Sequence, residues 1–388
     1  MTGSASTDQT RPLTREDLSL IPSYVPGQTT PGALKLASNE MTQGPLPSVR
    51  DAIVDAAAGV NRYPDMAAVD VRATIAEHLG LSTSQVAVGC GSSALCQQLI
   101  QATCADGDEV VFAWRSFEAY PILARVAGAV PVAVPLDDAH RHDLDAMADK
   151  IGERTRLVFV CNPNNPSGTT ITAAEFEAFM AKVPRDVIVA LDEAYIEFVQ
   201  PADGDLGAAG RASGVDTPNA VDATAKYPNV VGLRTFSKVY GLAGLRIGYC
   251  FGAAELIEAI NKVCIPFSVN ALAQVAAIES LRAVDELEAR IAGVRDQRVR
   301  VTAAINGAAG AEVVIPDSQT NFIWMPEERL ASLAGAGTLS DADVADSQSL
   351  GEFLAGKGVV VRFFRGEGVR ISITDAAETD RLLAALGL

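Results

Sequence analysis

QVAVGCGSSALCQQLIQATCADGDEVVFAW, Gln85 to Trp114, is where the chain changes rhythm, from amphipathic helices to short apolar strands alternating with helices. QVAVG reads as a strand, Ser92 to Thr103 as a helix and EVVFA as the next strand. The alternation continues through a helix after Phe117, VPVAV, a helix after Asp143, RLVFVC, a helix from Ala173, and VIVAL. That pattern predicts an α/β fold, a doubly wound domain whose mostly parallel sheet is covered by helices. Ligands of such sheets collect at the carboxyl ends of the strands, so the residues just after each strand are the ones to read for chemistry.

After the first strand come Gly89-Cys90-Gly91-Ser92-Ser93-Ala94. Two glycines allow a tight turn, and the free N–H groups of the next helix's first turn can receive a phosphate. The same letters fit the G-x-G-x-x-A of dinucleotide sites, but that reading wants an acidic residue at the end of the following strand, and EVVFA ends in Trp114-Arg115. Phe117 and Tyr120 follow at the same edge. Either aromatic could stack on a flat heterocycle, and for Tyr120 plain helix packing is the favoured reading. Asn162-Pro163-Asn164-Asn165-Pro166-Ser167-Gly168 follows RLVFVC, and its prolines hold an asparagine amide with little freedom, which suits orienting a phenolic oxygen. VIVAL delivers Asp192-Glu193-Ala194-Tyr195. A carboxylate at the end of a buried strand needs a partner, and a pyridinium nitrogen would be one.

Further on, the predicted strand NVVGLR (Asn229 to Arg234) runs into TFSKVYGLAGLRIG (Thr235 to Gly248). A lysine in a tight, partly buried turn loses hydration, its pKa falls, and its neutral amine becomes a nucleophile toward an aldehyde. Thr235, Ser237 and Arg246 flank Lys238 with two hydroxyls and a guanidinium, groups that hold a phosphate. An aldehyde and a phosphate together describe pyridoxal phosphate. An exposed Lys and Arg on a glycine-rich loop is the alternative that this stretch alone leaves open.

Outward from this centre, Pro22, Pro26, Gly27 and Pro31 punctuate an extended arm before LKLASNE (Leu34 to Glu40), and residues 1 to about 15 read as disordered. Leu46 to Ala58 and Val69 to Leu79 have helical spacing, with Tyr63 on the loop between them, a rim position that nothing local makes functional. Pro201 to Lys226 reads as a long surface loop, and Leu272 to Ala304 as one long helical region. EVVIP, TNFIWMP, GVVVRFF and GVRISI supply strands of a smaller α+β domain, with Glu328 to Ser349 as a polar, alanine-rich insertion.

Composition narrows the classes. A 388-residue chain with 48% apolar residues, 6% aromatics and 32 glycines suits a large α/β enzyme with an appended smaller domain. A formal charge of −17 repels nucleic acid and anionic membrane surfaces, so neither is expected as a partner. Six cysteines without a CxxC pair read as buried thiols of a reducing compartment, and MTGSASTDQT lacks the apolar core of a signal peptide; a cytoplasmic protein is expected. His140 and His142, in an HRH triplet with no further ligands at metal spacing, read as an exposed loop, so no metal is expected.

With Gly89 to Ser93, NPNNPSG, DEAY, Ser237-Lys238 and Arg246 all in order, residues 20 to 388 resemble the fold-type I, aspartate aminotransferase-like, pyridoxal phosphate-dependent transferases. Within them the chain is similar to the histidinol-phosphate aminotransferase group, and GCGSSALCQQL with FAWRSFEAYP looks closer to its actinobacterial aromatic, phenylalanine-type branch. The resemblance implies transamination of phenylalanine, tyrosine or tryptophan with 2-oxoglutarate, with histidinol phosphate as the alternative donor. It implies that Lys238 bonds the cofactor's aldehyde, Asp192 pairs with the pyridine nitrogen, Asn165 and Tyr195 meet the phenolic oxygen and Phe117 stacks on the ring. Gly91, Ser92, Thr235, Ser237 and Arg246 would take the phosphate, joined by Tyr63 from the neighbouring subunit of a homodimer with shared sites. Arg362 and Arg370 would grip the substrate's anionic groups, Asn165 would also face substrate, and Tyr24 would be an aromatic of the lid arm. The expected organisation is an arm and part of the small domain over 1–44, a large cofactor-binding domain over 45–270 and a small domain over 271–388.

Overall fold

The computed structural model describes Arg15, Leu18, Ser19, Ile21 and residues 31–199 and 215–388. Its centre is a seven-stranded sheet of β2 (Val86–Gly89), β3 (Glu109–Trp114), β4 (Val130–Pro135), β5 (Thr155–Cys161), β6 (Ile188–Asp192), β7 (Val230–Thr235) and β8 (Gly248–Gly252). The spatial order is β2-β8-β7-β6-β5-β3-β4, with β8 antiparallel to both of its neighbours and the other pairs parallel. Parallel strands covered on both faces must be apolar throughout, and β5 shows why. Val158 and Val160 enter the core layer on one face, while Leu157, Phe159 and Cys161 enter the layer on the other. The helix Ser92–Thr103 sets Leu95, Cys96, Leu99 and Ile100 against that second layer at helical spacing.

A second, four-stranded sheet joins β1 (Leu34–Leu36), β9 (Phe322–Pro326), β10 (Val359–Phe364) and β11 (Gly368–Ser372) in the order β1-β10-β11-β9. β1 runs parallel to β10, which brings the end of the N-terminal arm into this sheet. Leu34, Leu36, Ile323, Met325, Val359, Val361, Val369 and Ile371 share its core with Leu350, Leu354 and Leu382 from covering helices. Each fully buried side chain of this kind contributes about 1.5–3 kcal/mol.

The structure departs from the sequence expectations at several places. The helical region from Leu272 is two helices, Ala271–Arg282 and Val284–Ala309, broken at Ala283, and Asp285 and Glu286 give the second the acidic first turn that suits a helix N-terminus. The two helices join the cores, since Ala273 to Val294 pack with the large sheet's core and Val301 and Ile305 with the small one's. EVVIP is not a strand: the N–H groups of Val313 and Val314 both donate to Asn306 Oδ1 at 2.9 Å, so a side chain takes the bonds a neighbouring strand would have taken. The 328–349 segment is no mere insertion, because Leu330, Leu333, Ala336, Leu339 and Val344 are buried in the small core. Of the loop expected over 201–226, residues 201–214 lie outside the described residues, and Ala220–Lys226 is a helix capped by the Asn219 side chain. None of the described helices is long and apolar enough to cross a membrane.

Candidate active site

The carboxyl ends of the parallel strands meet the small sheet in a cleft of about 340 Å³. At one end, Gly248 pairs with Gly89 on β2 and with Thr235 on β7, which sets the glycine turn beside the lysine stretch. A Cβ on Gly248 would stand 2.5 Å from the Ser92 nitrogen, so only glycine lets the strands and the helix start close up. Gly91 has φ +80°, and a Cβ there would meet Arg246 Nη2 at 2.4 Å; its bareness makes room for the guanidinium. Arg246 Nη1 donates to Ala243 O at 2.8 Å and reaches Ser237 Oγ at 3.5 Å, and Thr235 Oγ1 accepts from the Ser237 N–H at 3.1 Å. Hydroxyls, a guanidinium and the first turn of Ser92–Thr103 thus converge as an anion cup.

In the middle lies Asp192, buried at the end of β6. Tyr120 Oη donates to its Oδ2 at 2.6 Å and the Ala194 N–H to Oδ1 at 3.2 Å. Burial pushes its carboxyl up to about 6, against those two bonds, which favour the charged form. Tyr195 is buried nearby; its hydroxyl accepts from Asn39 Nδ2 at 2.9 Å, and burial raises its pKa. Asn39 is itself held by Ser372 and Asn321, its N–H donating to Ser372 Oγ and its carbonyl accepting from Asn321 Nδ2. Lys238 Nζ donates to Ser38 O at 3.3 Å and lies 5.5 Å from the Tyr195 ring centroid. Burial first, then the charge of Arg370, lowers its pKa to about 8. Phe117 borders the cleft with its ring edge-on to Tyr120.

At the far end, Arg362 on β10 and Arg370 on β11 are cross-strand partners, so both guanidiniums leave the same face. Like charges placed opposite repel, and each is met by acceptors. Arg370 donates to Asn165 Oδ1 and, at 2.7 Å, to Ala37 O. Arg362 Nη2 donates to both carboxylate oxygens of Glu118, at 2.9 and 3.0 Å. Phe364 lies under both, with guanidinium carbons 5.4 and 5.8 Å from its ring centroid.

The cleft therefore gathers Ser92, Phe117, Asn165, Asp192, Tyr195, Thr235, Ser237, Lys238, Arg246, Arg362 and Arg370, with Gly91 behind Arg246. Tyr63 is not among them: it is 82% exposed, its ring 4.8 Å from that of Phe267. Tyr24 lies outside the described residues. Tyr120 does pack, stacked on Phe159 at 4.3 Å, yet its hydroxyl is also bonded to Asp192, which the packing reading missed. Ser38, Asn39, Glu40 and Glu118 are cleft residues that sequence reading passed over. The position of Glu118 directly after Phe117 at a strand end was the available signal; for Asn39 there was none, because its partners are about 156 and 333 positions away in sequence. The exposed-loop reading of HRH fails for His142. It is buried, burial lowers its pKa to about 4, and the neutral ring's Nε2 donates to Asn164 Oδ1 at 3.0 Å, bracing the asparagine loop. Among the described residues no cluster fit to hold a metal ion occurs.

These groups fit pyridoxal phosphate: an amine of lowered pKa, a buried carboxylate whose hydrogen-bond donors are both neutral and which a pyridinium would neutralise, and an anion cup bounded by glycines that tolerate no Cβ. A family model for aminotransferase class I and II matches residues 31–386, and the chain belongs to that family. It is 54% identical over 373 residues to the aromatic amino acid aminotransferase of Corynebacterium glutamicum (strain R), covering 96% of this chain and 98% of that one. To the aromatic amino acid aminotransferase of Rhodococcus jostii (strain RHA1) it is 53% identical over 374 residues, 96% and 95% of the two chains. Among solved structures it is similar to histidinol-phosphate aminotransferase from Sinorhizobium meliloti in complex with pyridoxal-5'-phosphate, with a TM-score of 0.77 at 28% identity over 92% of this chain and 90% of that one. A Thermus thermophilus aspartate aminotransferase mutant shares the fold, with a TM-score of 0.77 at 22% identity over 97% and 98% of the chains.

Proposed function

We propose that the chain is a pyridoxal 5'-phosphate-dependent aminotransferase that moves the amino group of phenylalanine, tyrosine or tryptophan to 2-oxoglutarate. The observation that carries the chemistry is Lys238, an amine with its pKa lowered to about 8, in one cleft with the buried Asp192 and the anion cup. The aromatic assignment is supported by near-full-length relatives at 53–54% identity that bear that name.

In this reading the cup of Ser92, Thr235, Ser237 and Arg246 holds the cofactor's phosphate, with Gly91 giving it room. Asp192 pairs with the ring nitrogen, Tyr195 and Asn165 with the phenolic oxygen, and Phe117 covers the ring. When bound, the cofactor supplies an aldehyde that bonds an amine and a ring that accepts an electron pair from Cα. Lys238 would hold that aldehyde, and its Nζ would take a proton from Cα as base and return it as acid. A pKa near 8 leaves a useful fraction of Nζ uncharged at neutral pH. Asp192, ionised, would keep the ring nitrogen protonated. Arg370 holds the α-carboxylate in a planar fork, with Arg362 beside it for a second anionic group.

A homodimer with shared sites belongs to the proposal. Val60, Tyr63, Met66 and Val69, with Ile265 and Phe267, are all exposed, and the Tyr63 ring contacts that of Phe267. A two-fold interface over them would bring Tyr63 to the neighbour's cup. A cytoplasmic location is consistent with six free cysteines. The test is an absorbance spectrum of the purified protein with added cofactor, followed by kcat/KM for phenylalanine, tyrosine and histidinol phosphate. We expect a visible band lost in Lys238→Ala, and a preference for the aromatic donors. A band unchanged by Lys238→Ala removes the chemistry, and histidinol phosphate ahead by about a hundredfold removes the aromatic assignment while leaving the cofactor site intact.

A further inference from the structure

We propose that Glu118 determines specificity by acting as the exchangeable counter-ion of Arg362, keeping that guanidinium's charge compensated for aromatic donors and yielding it to the distal carboxylate of a dicarboxylate acceptor. The inference rests on the functional reading above and adds to it how one cleft serves two unlike substrates. Arg362 Nη2 bonds both oxygens of Glu118 at 2.9 and 3.0 Å, and both residues line the cleft. Glu118 comes from the large sheet's side, immediately after Phe117, and Arg362 from β10 of the small sheet, so the pair spans the cleft. Among the described residues Glu118 bonds no side chain but that of Arg362, and at the start of the helix Ala119–Val126 it caps no N–H.

The pair's burial suits exchange. The side chains of Arg362 and Glu118 are 23% and 28% exposed, enough for the carboxylate to turn into water when displaced. Arg362 would not follow it, because its guanidinium carbon lies 5.4 Å from the Phe364 ring centroid and Phe364 is buried. An aromatic side chain entering this end finds a closed ion pair, whose charges cancel at short range. A second carboxylate finds a guanidinium already occupied by a group of its own chemistry. Replacing one carboxylate by another on the same fork is nearly balanced, so what a dicarboxylate gains from the guanidinium is offset by the Glu118 ion pair it must break. Glu118 therefore weakens dicarboxylates selectively and sets the balance between the two half-reactions.

The test compares holoenzyme and its Glu118→Gln variant, which keeps the side chain's shape and removes its charge. Binding of glutarate and of 3-phenylpropionate, each followed by titration calorimetry, separates the dicarboxylate from the aromatic monocarboxylate without relying on turnover. We expect glutarate to bind about fivefold more tightly in the variant, the size set by a half-exposed ion pair, and the KM for 2-oxoglutarate to fall in step while kcat moves less. The ratio of glutarate to 3-phenylpropionate affinity should rise by the same factor. In an Arg362→Gln background, Glu118→Gln should add nothing. Equal changes for both ligands, no change for glutarate, or a full effect of Glu118→Gln without Arg362 would each overturn the assignment. Failure of the functional reading shows separately, as a wild-type holoenzyme whose spectrum ignores phenylalanine.

Discussion

Three ion pairs of this protein use the same chemistry to opposite ends. Arg234 and Glu193 lie inside the large body, 2% and 0% exposed, joined at 2.8 Å, with Glu193 also accepting from the Ala220 N–H. Arg234 immediately precedes Thr235, and Glu193 immediately follows Asp192, so the pair locks together the two strand ends that carry the anion cup and the buried Asp192. Arg362–Glu118 and Arg115–Glu367 instead bridge the large and small bodies and are 20–35% exposed. A buried pair cannot release one member without leaving an uncompensated charge, whereas a half-exposed pair can exchange a partner for water or for a ligand. In the proposed function the cofactor half is thus fixed by burial, and the substrate half rests on contacts that can be traded.

Breaking the buried pair should have the largest effect. Glu193→Ala leaves Arg234 charged in the core and should cost about 3–5 kcal/mol of stability, read from the denaturant midpoint of the holoenzyme. A loss below about 1 kcal/mol would erase the contrast between the halves. Next comes Arg370→Lys, which keeps the charge but loses the fork; kcat/KM for phenylalanine should fall by about 1.5–3 kcal/mol, one to two orders of magnitude, with cofactor binding intact.

Tyr120→Phe should cost about 1 kcal/mol in cofactor affinity and shift its pH dependence. Tyr120's hydroxyl favours the ionised form of Asp192, whose carboxyl stands at about 6 rather than 3.8; removing it moves that pKa further up. The folded protein then holds the proton to higher pH, so the acid limb of a plot of cofactor Kd against pH should move upward. The linkage runs the same way: between pH 3.8 and about 6 the folded state binds more protons than the unfolded chain, so this group's contribution to stability falls as pH rises through that window. The smallest effect belongs to Glu367→Gln, which should change the denaturation midpoint by less than about 1 kcal/mol while altering KM values, since Arg115–Glu367 joins the two bodies near their exposed rim.

The cofactor half was readable in the sequence because its residues follow strand ends at short range. A parallel sheet aligns those ends, so Gly91, Asn165 and Lys238, just past their strands, and Asp192, the last residue of its own, arrive at one edge without any further information. The substrate half was readable in its arginines and little else. Nothing near Glu118 in the chain announces Arg362, 244 residues on, and nothing near Tyr195 announces Asn39, 156 residues back.

What the sequence by itself determined was the alternation that makes the sheet, and with it the glycines, amine, carboxylate and hydroxyls that fit the cofactor, because strand period and strand-end position are local properties of the chain. Only the tertiary structure decided that Tyr120 bonds Asp192, that Ala37 to Asn39 line the cleft, and that Arg362 is paired with Glu118. Those contacts join segments distant in sequence: the first forms within the large body, and the others need the small sheet, where β1 pairs with β10 and β10 and β11 carry the two arginines.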